Sequence, residues 1–167
     1  VSGGARGARH VREHINYITR NSKLEAETDQ GEKLTGADAV RAFARGWSRD
    51  DPGKGSVAGQ HRKSRDTVSL VLSMPPGTDR DRLQTAVRQF AGRNFAADRE
   101  YLFVRHDDTK HPHCHLTLKA VGYDGRRLNP RNAHLQQWRE SFAECLRESA
   151  CSPSSSPPPP RALVRSC

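Results

Sequence analysis

The chain has few apolar and aromatic residues: of its 167 residues, 34% are hydrophobic and 6% aromatic, with one Met and two Trp. Even so, that length suits one domain with a sizeable core. No run approaches the roughly 20 apolar residues of a membrane-spanning helix, and the start lacks the apolar stretch of a signal peptide. A cytoplasmic location is therefore expected. The four cysteines, Cys114, Cys145, Cys151 and Cys167, show no C-x-x-C pairing. This argues against a structural zinc site and agrees with a reducing compartment. Acidic residues are also in deficit, 19 against 28 Lys and Arg, for a net charge of +9. Such an excess favours a polyanionic partner, nucleic acid first. No internal repeat is evident.

What is abundant is histidine, in one place. The segment His106-Asp107-Asp108-Thr109-Lys110-His111-Pro112-His113-Cys114-His115 carries four of the eight histidines and runs directly into the apolar stretch Leu116 to Ala120. In a strand, His113 and His115 share one face, while Cys114, Leu116, Leu118 and Ala120 share the other. Two imidazoles on one face can share a metal ion, and His106, at the end of the apolar run Tyr101 to Val104, can supply a third ligand. Three protein ligands leave positions open for a substrate oxygen, so the pattern points to chemistry.

Around this segment the periodicity predicts an α+β domain with a largely antiparallel sheet covered by helices. Val11, Ile15 and Ile18 form one helical stripe, with His10, His14, Tyr17 and Asn21 along its flank. A short helix is predicted from Ala37 to Arg45, capped by Thr35 and Asp38 and ended by Gly46. Residues 46 to 65 read as a polar, Gly-rich basic loop. Strict alternation from Thr67 to Met74 predicts a strand, Thr78 a helix cap, and Leu83, Val87, Phe90 and Ala91 the core face of the following helix. Strands at Tyr101 to His106 and His113 to Val121 come next. A last helix opens with Asn129 as N-cap and Pro130 at its first position. Residues 1–149 are expected to form the folded domain and 150–167 a disordered Ser/Pro-rich tail.

His106-x-Asp108, followed by His111-Pro112-His113-Cys114-His115 and an apolar strand, resembles the histidine signature of the relaxases. These are the mobilisation endonucleases of conjugative plasmids and integrative elements, within the wider class of His-hydrophobic-His (HUH) nicking enzymes. His14-Ile15-Asn16-Tyr17-Ile18-Thr19-Arg20-Asn21-Ser22-Lys23-Leu24-Glu25 is similar to the tyrosine motif of P-type relaxases, the group that includes the T-DNA border-nicking protein. Val68-Ser69-Leu70-Val71-Leu72-Ser73-Met74-Pro75-Pro76-Gly77-Thr78 resembles the strand and proline turn lying between those motifs. The tyrosine precedes the histidines, as in relaxases and unlike rolling-circle replication initiators. The resemblance implies a bacterial enzyme that nicks one strand at an origin of transfer and leaves a 5′-phosphotyrosine and a free 3′-OH. It implies a magnesium or manganese ion, although three imidazoles equally suit zinc or nickel. Accessory mobilisation proteins and a type IV secretion coupling protein are the implied partners, besides single-stranded DNA. Relaxases place an apolar strand ahead of the residues matching Gly3 and Gly4, so the chain is expected to lack its first strand.

Holding a cut phosphate covalently requires a nucleophile, and a phenol can serve once its proton is accepted. Tyr17 lies about 100° off the apolar stripe of its helix and so borders a groove, whereas Tyr101 sits in an apolar strand and Tyr123 in a turn. Metal ligation is expected at His106, His113 and His115. Proton handling or ligand orientation is expected of His111, Asp108 or His14. Arg6, Arg9, Arg20, Lys23, His61, Arg62, Lys63 and Arg65 are the expected phosphate contacts, with Trp47 a candidate stacking platform. Two other readings fit: a non-catalytic, DNA-binding remnant of a truncated relaxase, and a histidine-triad nucleotide hydrolase, whose His-x-His-x-His pattern residues 111–115 satisfy.

Overall fold

The computed structural model describes residues 4–49, 65–150 and 163–166. Ten elements follow one another: α1 (Gly7–Ile18), β1 (Ala26–Thr28), β2 (Lys33–Leu34), α2 (Gly36–Arg49), β3 (Thr67–Ser73), α3 (Arg80–Phe95), β4 (Tyr101–His106), β5 (His113–Lys119), α4 (Asn132–Glu148) and β6 (Leu163–Ser166). The strands form one sheet in the order β2-β1-β4-β5-β3-β6, antiparallel at every pairing. The expected α+β class is the observed one.

Alternation along the strands sorts side chains into two cores. Val68, Leu70, Leu72, Phe103, Cys114, Leu116 and Leu118 point to one face, where α3 and α4 cover them with Phe90, Phe95, Trp138 and Phe142. Phe90 meets Phe142 edge-on with ring centres 5.7 Å apart, a geometry the ring quadrupoles favour. On the other face Val11, Ile15 and Ile18 of α1 and Val40, Ala44 and Trp47 of α2 pack on Ala26, Leu34, Leu102 and Val104. That second layer therefore rests on β1, β2 and β4. The neighbouring part of the same face, over β5 and β3, presents His113, His115, Val71 and Ser73, all only half-buried.

Several local expectations are corrected. α2 runs through Gly46 to Arg49 because Trp47, one turn beyond Phe43 and 5.0 Å from it between ring centres, is buried in the core. That packing outweighs the roughly 1 kcal/mol a mid-helix glycine costs, and it removes Trp47 as a surface stacking platform. The remainder of the predicted basic loop, with His61, Arg62 and Lys63, lies outside the described residues. Asp79, not Thr78, caps α3, its carboxylate accepting the Arg82 N–H at 2.9 Å. α4 begins at Asn132 with Arg131 as N-cap, past the Asn129-Pro130 start.

The hairpin β1–β2 was not anticipated. Its residues Ala26-Glu27-Thr28 are buried by pairing with β4, and Arg88 meets the buried Glu27 carboxylate with two hydrogen bonds of 2.5 and 2.8 Å. At the other end, Leu163–Ser166 pairs with β3. Those four residues thus form a strand along β3 within the stretch where a structureless tail is expected.

Candidate active site on the open half of the sheet

The register of β4 on β5 sets His106 opposite His113 and Val104 opposite His115. All three histidines consequently emerge on the α1 side of the sheet. Ring centres lie 4.4 Å apart for His106 and His115, 5.0 Å for His106 and His113, and 5.3 Å for His113 and His115. One nitrogen from each ring falls within 4.8 Å of the others. The strand phase read from the sequence is the phase observed.

Hydrogen bonds to backbone carbonyls fix which nitrogens are free. His106 Nε2 lies 2.6 Å from the Ile18 carbonyl, and His113 Nδ1 lies 3.0 Å from the His111 carbonyl. A carbonyl can only accept, so each of these nitrogens carries the proton, and the other nitrogen of each ring presents a lone pair. His106 Nδ1 is buried and has no partner among the described residues. An orphaned acceptor is costly in a core but is what a metal ligand needs, and the carbonyl behind it is the usual outer support for a ligating imidazole. Burial holds the His115 pKa down to about 3, helped by the neighbouring His106 and His113. Burial also lowers His106, the bond to Ile18 partly opposing it. Both rings are neutral at pH 7, the state in which imidazole ligates. These donors fit a divalent cation.

The same Ile18 carbonyl ties the histidines to the tyrosine helix. An α-helix leaves its last four carbonyls without intrahelical partners. In α1 the Thr19, Asn21 and Arg20 N–H groups take the carbonyls of Ile15, Asn16 and Tyr17, and His106 takes that of Ile18. The chain reverses through Arg20, Asn21 and Ser22, all left-handed, with φ of 51°, 56° and 64°. Non-glycine residues seldom adopt this conformation. Arg20 is held there by a 2.8 Å ion pair with Asp108.

Tyr17, 63% exposed, projects just before this turn. With Arg6, His10, His14, Ser69 and His115 it lines a cavity of about 540 Å³, so nucleophile candidate and metal-ligand candidate share one space. His14 lines the same cavity, its Nε2 2.9 Å from the Thr117 hydroxyl and 3.0 Å from that of Ser69. Burial lowers its pKa. Ser69 and Thr117 escaped the sequence reading; their face of the strands, shared with His115, was the available signal.

His111 and Asp108 lie in the exposed connection between β4 and β5 and do not line this cavity. His111 supports His113 through its carbonyl, and Asp108 holds Arg20. Arg9 pairs with Glu13 at 2.8 Å, Lys23 is exposed, and Arg65 offers its carbonyl to Arg127 at 2.9 Å. Among the described residues expected to meet phosphate, Arg6 alone lines the cavity.

A family model described as the relaxase, MobA/VirD2-like, nuclease domain matches residues 17–150. The T-DNA border endonuclease VirD2 of Rhizobium radiobacter is 23% identical over 144 residues, covering 80% of this chain and 34% of that protein. Its namesake from Rhizobium rhizogenes is 23% identical over 144 residues, with coverages of 80% and 33%. That of Agrobacterium fabrum is 22% identical over 144 residues, with 80% and 32%. The chain spans about a third of the length of these curated relatives.

Proposed function

Since the chain belongs to the relaxase family, in its MobA/VirD2-like nuclease branch, we propose that it nicks single-stranded DNA by transesterification onto Tyr17, in the service of conjugative mobilisation. The observation that carries this reading is the shared cavity: Tyr17 and His115 line one space beside a cluster of three histidines. The Tyr17 phenol oxygen bonds to the scissile phosphorus as the P–O3′ bond breaks. The phenol proton passes to His14, kept uncharged by burial, and from there to the departing 3′ oxygen. Products are a 5′-phosphotyrosine and a 3′-OH, and reversal rejoins the strand.

His106, His113 and His115 would hold a divalent ion, magnesium or manganese in use, which when bound supplies positive charge to the non-bridging phosphate oxygens. His106 and the Ile18 carbonyl fix the end of α1 relative to the histidines, and proximity of this kind is a large part of the rate advantage of covalent catalysis. Asp108 acts through Arg20 as a positioning residue for the turn after Tyr17, and His111 positions His113. Arg6, Arg9, Lys23, Arg62, Lys63 and Arg65 contribute phosphate contacts without reading sequence. The natural strand is an origin of transfer, with accessory mobilisation proteins and a secretion coupling protein as partners in the bacterial cytoplasm. The histidine-triad hydrolase alternative has no support from the family match, and the exposed ring of His111 stands apart from the His106–His113–His115 cluster.

The test is a covalent-adduct assay on labelled single-stranded oligonucleotides spanning the DNA next to the gene, with manganese present. Wild type should give a band resistant to denaturant. Tyr17→Phe should bind the same strand and give none, and His113→Ala should lose the adduct together with manganese binding. A persistent adduct in Tyr17→Phe would remove the nucleophile assignment. A wild type that binds strands but never forms an adduct would leave only a DNA-binding domain.

A further inference from the structure

The flank of α1 away from the active-site cavity borders a second groove, of about 490 Å³, between α1 and α2. Its floor is apolar, made by the buried Val40 and Ala44, and its walls carry Arg12 from α1 and Arg41 and Arg45 from α2. All three guanidinium groups are exposed. Among the described residues no carboxylate lies within ion-pair distance of Arg12 or Arg45, and Arg41 has only the fully exposed Asp38, at 4.0 Å. The one acidic residue of the lining, Glu13, is already bonded to Arg9. Three exposed arginines along one groove present a positive rail to an anion.

The groove is also continuous with the catalytic helix. Asn16 lines the groove and Tyr17 the cavity, so one helix separates the two. Resting on the reading of Tyr17 as nucleophile, we propose that this α1/α2 groove is the track for the single-stranded DNA flanking the nick. Phosphates lie against Arg12, Arg41 and Arg45, along the narrow groove whose floor Val40 and Ala44 close. Such a charged rail supplies the sequence-independent, phosphate-driven part of single-strand binding. Crossing a helix about 10–12 Å wide takes about two to three nucleotides. The track therefore engages a strand from about the third nucleotide beyond the scissile phosphate, and three arginines neutralise about three phosphates.

The experiment measures fluorescence anisotropy of single strands extended one nucleotide at a time on either side of the nick, across a salt series, with the full chain. For wild type, extension on one side alone should raise affinity at least tenfold between about three and six nucleotides, then level off. In Arg12→Ala/Arg41→Ala/Arg45→Ala that gain should disappear, and the log-log salt slope should become shallower by about 2, at roughly 0.7 per phosphate. The triple lysine variant should restore the slope, which separates lost charge from a damaged fold. Arg131→Ala/Arg139→Ala/Arg147→Ala, at and along α4 beneath the opposite face of the sheet, should retain both length gain and slope. An unchanged length gain and slope in the groove variant would overturn the proposal. So would a loss confined to duplex DNA, or an equal loss in the α4 variant. Adduct formation by wild type is scored separately: its absence fails the nicking reading, whereas the anisotropy series decides the groove.

Discussion

Replacing His106 by Ala should separate two jobs that one imidazole performs. The ring is buried and gives its Nε2 proton to the Ile18 carbonyl, the one carbonyl at the end of α1 that the following turn does not satisfy. Leaving that acceptor dry costs about 1–3 kcal/mol, and the unfilled space behind it adds to this, giving about 2–4 kcal/mol in all. His113→Ala removes a half-buried ring bonded to the carbonyl of an exposed turn residue, a change worth about 0.5 kcal/mol. Both variants lose one of the three histidines proposed to hold the metal. Urea unfolding with chelator should place His113→Ala beside wild type and His106→Ala well below it. With manganese at about a hundred times its dissociation constant, wild type should gain about 2.7 kcal/mol and neither variant any. A His106→Ala protein as stable as wild type in chelator would refute the capping role, and one still stabilised by manganese would refute the metal role.

Acid should unfold the chelated protein early. The folded-state pKa values of His14, His106 and His115 lie below the ordinary value, that of His115 at about 3. The unfolded chain therefore binds more protons, and the stability these groups contribute is full above about pH 6.5 and lost as pH falls toward 3. Urea midpoints should drop steadily from pH 7 to 4, less so in His115→Ala; a flat wild-type profile would contradict the burial. Ser22→Gly relieves a left-handed residue at φ 64° while keeping its N–H bond to the Thr19 hydroxyl, and should raise stability by about 0.5–1 kcal/mol. A clear loss would mean that the Ser22 side chain does something the turn needs. Cys114, its thiol pushed up to about 12 by burial, should resist alkylation at pH 8 until the protein unfolds, as peptide mass mapping would show; modification of native Cys114 at the rate of a free thiol would mean that the sheet opens.

Patterns confined to one element were legible in the sequence, and features created by contact between elements were not. Alternation alone assigned His113 and His115 to one face and Cys114, Leu116 and Leu118 to the other, because a strand has only two faces. The i, i+4, i+7 stripe likewise placed Tyr17 off the core side of α1. Glu27 gave no such signal: Ala26-Glu27-Thr28 is a strand because β4 pairs with it and Arg88 neutralises it. Gly46 seemed to end α2 because local propensity ignores what Trp47 gains by reaching the core. At the site, residue types pointed to the histidines that cluster, whereas the tie between His106 and the Ile18 carbonyl spans 88 residues and involves a backbone atom that carries no sequence signature. His14 was one of three candidates for proton work until the fold put it in the cavity with Tyr17.

Peptide mapping of the covalent product identifies the nucleophile. Trypsin cuts after Arg12 and Arg20, so Tyr17 is the sole tyrosine of the fragment Glu13 to Arg20, while Tyr101 and Tyr123 fall in separate fragments. After reaction with a single-stranded substrate and nuclease trimming, a nucleotide phosphate mass is expected on Tyr17 of the Glu13–Arg20 fragment and on no other fragment. The same mass on the fragment of Tyr101 or Tyr123, on His14 within the Glu13–Arg20 fragment, or on the fragments that carry His106, His111, His113 or His115, would contradict the assignment to Tyr17.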